Sequence, residues 1–269
     1  MALTDFNEYV SKLRENRIAD FQMSAVTGRA QRLSALWPLF VPAPTIPTTS
    51  IALDKDSGQA IGPIPSVSTG MLTLLGARLN ASGVSGIGIV IIDLLNINGG
   101  LNGTLTTAQT TNLPTASLTR YTSGDGVMAG IIIHSTIGGT GTTVSISYTN
   151  QAGTPGQISS ATTFGATGFR EAASLILIPL AAGDTGVRSV ESVTLAASTA
   201  TAGNFGICLF KPLAMLGLES TTGAAVLDSV STGGIINALC DINPNACLTA
   251  GAIVNTTQSI SGAFILGEV

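Results

Sequence analysis

Val144-Ser-Ile-Ser-Tyr148, followed at once by Thr149-Asn-Gln-Ala-Gly153, decides what kind of protein this chain builds. Apolar and hydroxyl-bearing residues alternate strictly. This period of two gives a strand one buried face and one face coated in hydroxyls. The Asn-Gln-Ala-Gly that follows is turn chemistry. The same grammar appears downstream, where Ala182-Gly-Asp-Thr-Gly186 links Leu175-Ile-Leu-Ile178 to Val190-Glu-Ser-Val-Thr-Leu195. Gly183 and Gly186 there can take a positive φ at little steric cost. Further β-branched or alternating runs lie at Met71 to Leu79, Ile87 to Leu95, Val127 to Ser135 and Phe205 to Pro212. With Thr142 to Thr149, Ala173 to Pro179 and Ser189 to Ala197 they make a series of short strands between Gly, Asn, Asp and Pro turns. Such a series predicts a jelly-roll-like β-sandwich over residues 66–218. Composition agrees: 32 glycines in 269 residues exceed the average share of roughly 7%, and aromatics are only 4%.

Upstream of the body the grammar changes. Asp5 and Glu8 form a capping box, and Phe6, Val10 and Leu13 recur at helical spacing with Tyr9 and Phe21 near the same stripe. This predicts an N-terminal helix whose polar face carries Lys12, Arg14, Glu15 and Arg17. Then six of the 11 prolines (38, 42, 44, 47, 63, 65) fall together among Leu36, Trp37, Leu39, Phe40, Val41 and Ile46. Proline removes backbone donors and fixes an extended path, so residues 1–65 read as a helix followed by an extended, Pro-rich arm. An apolar arm needs a surface to lie on, in its own subunit or in a neighbour. Phe6, Val10, Leu13, Trp37, Leu39 and Phe40 are the candidate subunit-interface residues. Residues 219–269 are weakly patterned. Gly233 to Cys240 reads as a short helix, and the apolar Ala263 to Leu266 as a segment docked on the body or a neighbour.

Charge is distributed as unevenly as proline. Of 26 charged residues (11 basic and 15 acidic), nine lie in the first 32 positions, leaving 17 for the other 237. A mixed charged surface normally keeps folded domains apart. A body this poor in charge is expected to be covered by copies of itself or by partners, which points to an assembled structural protein. The net charge of −4 and the absence of any basic residue after Lys211 argue against nucleic-acid binding by the body. The mean hydropathy of +0.47 is high. The longest apolar run, Ile87 to Leu95, is nevertheless interrupted by Gly88 and Asp93, far short of the roughly 20 residues of a spanning helix. No membrane partner is expected. Asp5, Asn7 and Glu8 stand where an export signal would be basic and then apolar, so synthesis in a cytoplasm is expected.

No catalytic motif competes with this reading. The single histidine, His134, lies in Ile131-Ile-Ile-His134 and reads as a partly buried strand residue. No Cys or His pair has zinc-ligand spacing. Gly83-Val-Ser-Gly-Ile87 misses the serine-nucleophile elbow at its last position. Gly86-Ile-Gly88 misses the dinucleotide pattern at Ile91, and no phosphate loop is present. Asp125 and Asp184 lie in Gly-rich turns, and Glu171 and Glu191 stand near Arg170 and Arg188, as turn residues and surface ion pairs do. Catalytic, metal and cofactor residues are therefore expected to be absent. Cys208 reads as a buried thiol. Cys240 and Cys247 bracket a turn and could close a small loop in oxidising surroundings, or remain two thiols in a cytosol.

Arg120-Tyr-Thr-Ser-Gly-Asp-Gly-Val-Met-Ala129, Val144 to Gly153, Ile178-Pro-Leu-Ala-Ala-Gly-Asp-Thr-Gly-Val-Arg-Ser-Val-Glu-Ser-Val-Thr-Leu195 and Phe210-Lys-Pro-Leu213 resemble structural proteins of tailed bacteriophage particles. The likeness covers roughly residues 120 to 218 and is one of phrase. It implies a virion component, such as a head, cement or collar protein, present in many copies without catalytic residues. Its partners would be itself and other virion structural proteins. A receptor-binding or adhesin module is the alternative, with more exposed aromatics at a tip. A glycan-active enzyme comes third, since glycosidases use carboxylate pairs.

Overall fold

A computed structural model describes residues 18–22, 32–40, 43–62, 64, 72–81, 87–110, 114–218, 223–228, 240–253 and 259–268. In chain order the strands are β1 (Ile18–Gln22), β2 (Leu33–Ala35), β3 (Ile51–Ala52), β4 (Leu72–Ala81), β5 (Ile87–Ile97) and β6 (Met128–Ser135). They continue with β7 (Thr142–Asn150), β8 (Gln157–Ile158), β9 (Thr162–Phe164), β10 (Leu175–Leu177), β11 (Val187–Leu195) and β12 (Asn204–Leu218). The last are β13 (Gly223–Asp228), β14 (Cys240–Ile242), β15 (Leu248–Ile253) and β16 (Ile260–Glu268). A single 3-10 turn, Trp37–Leu39, follows β2. Among the described residues no helix is long and apolar enough to cross a membrane.

The centre is one antiparallel sheet in the order β10-β6-β12-β5-β15-β2, with β3 added to β5. Its two ends meet. Ser34 bridges Ser174, and the Ala35 amide donates to the Ala173 carbonyl at 2.8 Å, so the sheet almost closes on itself. Trp37, Ile92, Leu94, Ile132, Cys208, Phe210 and Cys247 pack together as one core cluster. The sequence of β5 explains the architecture. Ile92 and Leu94 join that cluster, whereas Ile89 and Ile91 join a second and Leu95 a third. A strand buried on both faces has to be apolar at successive positions, and Ile89-Val-Ile-Ile-Asp-Leu-Leu95 is apolar at all but Asp93.

Two smaller sheets cover the outside of the ring. One is β11-β7-β8, with β9 also on β7. Its inner face, Val144, Ile146, Tyr148, Val190, Val193 and Leu195, packs with Ile131, Ile133, Phe205 and Ile207 of the ring. The rings of Phe164 and Phe205 meet edge to face at 5.0 Å, a favoured aromatic geometry. The other sheet is β1-β16-β4-β13, with β14 on β4. Leu72, Leu74, Ile260, Phe264 and Leu266 from it pack with Ile89, Ile91, Leu248, Ala250 and Ala252. The 15-residue β12 contributes Phe205, Ile207 and Leu209 to one cluster and Leu213 and Ala214 to the border of the other. Bulges between Leu209 and Phe210 and between Pro212 and Ala214 reset its register along the way.

The chain is mostly β, and each of the seven runs read from the sequence contains a strand. The layering differs from the expected jelly-roll-like sandwich: a near-closed ring stands between two sheets. The reason lies outside residues 66–218, because β2 and β15 supply the strands that bring the ring round. The boundaries drawn at 65/66 and 218/219 therefore cut through sheets. Cys240–Ile242, Leu248–Ile253 and Ile260–Glu268 are strands of the central and flanking sheets. The helix expected near residues 5–17 lies outside the described residues, as does Gly233 to Leu239 of the short helix. Cys240 begins β14, and Phe21, placed near the helical stripe, lies in β1 opposite Gly262.

Candidate functional site

Of the candidate interface residues, Phe6, Val10 and Leu13 lie outside the described residues. Trp37 is buried within its own chain, at 1% exposure. Pro38 at the first turn suits a 3-10 start, since its missing N–H would be unpaired there anyway. The turn is tied down by the Leu36 amide, which donates to the Ala250 carbonyl at 3.0 Å, and by Leu39 N–H to the Leu36 carbonyl at 2.9 Å. The arm at this point is thus part of the chain's own core, and Trp37 has no side-chain surface left for a neighbour. Leu39 and Phe40 are half-buried against the ring and keep part of theirs. Where the arm continues at Ala43 to Ser50, it carries no strand of its own, as its prolines dictate.

Under this region lies a charged pair that the sequence reading passed over. Arg120 grips Asp93 with both ends of its fork, Nη2 to Oδ1 at 2.6 Å and Nε to Oδ2 at 2.9 Å. Its remaining donors go to the carbonyls of Leu53 at 2.8 Å and Leu94 at 3.3 Å and to the Thr119 hydroxyl at 3.4 Å. Asp93 also accepts the Cys247 amide at 3.0 Å. Burial raises the Asp93 pKa, opposed by the hydrogen bonds and charge of Arg120. One signal was present: a lone Asp inside an apolar strand must find a partner. A cleft of about 280 Å³ opens above the pair, lined by Ala52, Leu53, Asp54, Thr119, Arg120 and Asn245. Since the guanidinium is already saturated, the cleft offers a ligand little beyond Asp54, Thr119 and Asn245.

The other residues examined for chemistry hold structure. Asp184 accepts the Tyr148 hydroxyl at 2.6 Å and Asn150 Nδ2 at 2.7 Å, while the same hydroxyl accepts the Ala181 amide at 2.8 Å. Burial and then the Asp184 carboxylate push the Tyr148 hydroxyl up to about 12. Asp125 accepts Thr185 Oγ1 at 2.7 Å. Arg170 and Glu171 pair at 3.3 Å as expected. Arg188 does not pair with Glu191: it braces two turns by donating to the Ser123 and Gln151 carbonyls, whereas Glu191 accepts the hydroxyls of Thr149 and Ser189 at 2.7 Å each. Strand β11 bulges between Val190 and Ser192, which separates the neighbours in sequence. Cys208 and Cys247 are free and buried, with pKa values raised by burial. Among the described residues no group of three or more His, Cys, Asp or Glu could hold a metal ion.

What the molecule presents is surface. On the outer face of β7 and β11, Ser147 stands opposite Ser192, Ser145 opposite Thr194 and Thr149 opposite Ser189. All six are half-buried, and Glu191 is the one carboxylate among them. The predicted alternation of β7 is realised, with hydroxyls outward. Among the described residues the large exposed apolar side chains are Ile46, Ile51, Leu105, Ile158, Leu177 and Met215, the last 68% exposed. No aromatic is among them.

No protein-family model matches the chain, and no curated protein does. Among solved structures it overlaps with the VP2 subviral particle of infectious bursal disease virus at 9% identity, covering 94% of this chain and 80% of that one, with a TM-score of 0.19. T=1 particles derived from the same virus give 9% identity, coverage of 94% and 78%, and a TM-score of 0.20. Superpositions this loose do not establish a shared fold.

Proposed function

We propose that this chain is a structural subunit of a virus particle, of the tailed-bacteriophage kind, which works by assembling with copies of itself and with other virion proteins. The observation that carries the reading is the sparseness of charge over a large β body. Seventeen charged residues serve 237 positions, and the pair Asp93 and Arg120 is hidden inside. What faces outward includes a hydroxyl-coated sheet and scattered apolar side chains, a surface that association would cover. The phrase-level likeness over residues 120 to 218 to phage structural proteins supports the particle. Contact with neighbours falls to Phe6, Val10 and Leu13 on the N-terminal segment and to Leu39 and Phe40 on the arm.

Electron micrographs of the purified protein, with its mass in solution, test this directly. Rings, shells or tubes are expected, and substituting Ser at Phe6, Val10 and Leu13 together should dissolve them into folded monomers. Discrete trimers that bind cells would favour the adhesin reading. A monomer at all concentrations would overturn the assembly reading.

A further inference from the structure

The sole histidine sits where the arm crosses the ring. Its Nε2 is 2.9 Å from the Asn98 carbonyl, which can only accept, so Nε2 carries the proton in the neutral ring. Nδ1 is then a bare lone pair, and it is buried with no hydrogen-bond partner. Alongside lies Gly99. A Cβ placed there would stand 2.6 Å from Ile46 Cγ2, 3.1 Å from His134 Cδ2 and 3.2 Å from Asn204 Oδ1. Ile46 and the imidazole therefore lie side by side over a position that only glycine fits. Asn204 fixes the third wall, its Oδ1 accepting the Gly100 amide at 2.7 Å.

Ile46 belongs to a loosely held strap, residues 43–50. Among the described residues no backbone N–H of the strap donates a hydrogen bond. It is anchored by Gln59 Nε2 donating to the Thr45 carbonyl at 3.3 Å, and by Ser50 Oγ accepting the Ala116 amide at 2.8 Å. Pro44 lies against Gly58.

We propose that His134 is an acid-triggered latch for this strap: a proton on Nδ1 drives the ring out of its slot, and its departure unseats Ile46 and frees residues 43–50. Protonation turns the buried lone pair into a buried N–H on a cation with no acceptor, which is costly unless water reaches it. Of the groups gathered here, the Asn98 carbonyl and Gly99 from the end of β5, Asn204 from β12 and Ile46 from the strap, none is ionisable. On the segment leading into β10, Arg170 and Glu171 are already paired with each other. Burial accordingly holds the ring below its ordinary value of 6.5, against the Asn98 hydrogen bond.

Hydrogen exchange of the full chain, corrected for intrinsic rates, tests the latch at about pH 7.5 and about pH 5. The Ala116 amide, which the strap holds through Ser50 Oγ, should exchange about tenfold faster at the lower pH, while the amides of β7 should not change. His134→Gln retains a donor for the Asn98 carbonyl and cannot titrate. It should keep the Ala116 amide at its neutral-pH rate under both conditions. Acid release that persists in this variant, or its absence from the native chain, would overturn the proposal. Should His134→Gln not fold, NMR of the native chain decides, because one histidine gives one ring signal: the Ile46 methyl resonances must move in step with the titrating ring. A ring that titrates while they stay fixed refutes the latch.

Discussion

Trp37 and Arg120 show how differently two buried side chains hold one interior. Trp37 fills the ring core, and truncating a large buried side chain costs both transfer free energy and a cavity. Trp37→Ala is expected to destabilise folding by about 3–5 kcal/mol in a denaturant titration, with native emission already blue-shifted before any assembly. Arg120 works through charge. Arg120→Met leaves the Asp93 carboxylate buried without its partner, a loss of about 3–5 kcal/mol, whereas replacing both as Asp93→Leu/Arg120→Met should recover most of it, because well-packed apolar groups often match a buried ion pair. A double-mutant cycle followed by thermal melting measures this, and equal destabilisation by the single and double changes would contradict it. His134 adds a pH dependence of known sign. Its native pKa lies below the unfolded 6.5, so the unfolded chain binds the proton more readily, and stability is constant above that value and falls as pH drops from it toward the native pKa. His134→Gln should flatten this slope.

Among the elements, the central strands depend on close backbone approach. A Cβ at Gly206 in β12 would run into the Asn98 carbonyl, so Gly206→Ala should cost about 1–3 kcal/mol or more by overpacking, read from the same melts. This scale also shows what the sequence could reveal. The alternation of Val144 to Tyr148 announces a half-buried strand because a period of two has no other use, and β7 is that strand. Ile89 to Leu95, apolar at all but Asp93, likewise reads as a strand, and burial on both sides explains why it does not alternate. What stayed hidden is pairing. Nothing local in Leu33-Ser-Ala35 marks it as the partner of Gly251 to Ile253, and the Pro-rich stretch that follows suggested an extended arm. Phe21 fitted a helical stripe by spacing alone, but its partner in β16 decides its conformation. Of the candidate interface residues, Trp37 was legible as a residue in need of cover. That the cover is its own ring depends on contacts across the whole chain. Asp93 was visible as an interruption, yet its partner Arg120 lies in an irregular segment with no pattern to betray it.

Across the whole molecule, the three sheets share strands from distant parts of the sequence, and truncations should respond accordingly. Removing residues 1–17 is expected to leave β-type circular dichroism and a cooperative melt intact while weakening assembly. Removing residues 1–50 deletes β1, β2 and Trp37 and opens the ring, so the cooperative melt should be lost. If the longer truncation still melts cooperatively, the arm is not part of the core. The closure of the ring has a temporal side as well. β2 pairs with β15, and Ile18 lies opposite Ile265. Such pairings between distant segments carry a large loop-closure entropy and slow folding. A nascent chain that has not reached Ile253 lacks the strand that joins β5 to β2, so the ring cannot close while synthesis is still upstream of it. During translation its apolar strands must stay unsealed on the ribosome, and the closed ring becomes available only after Ile253 has been made.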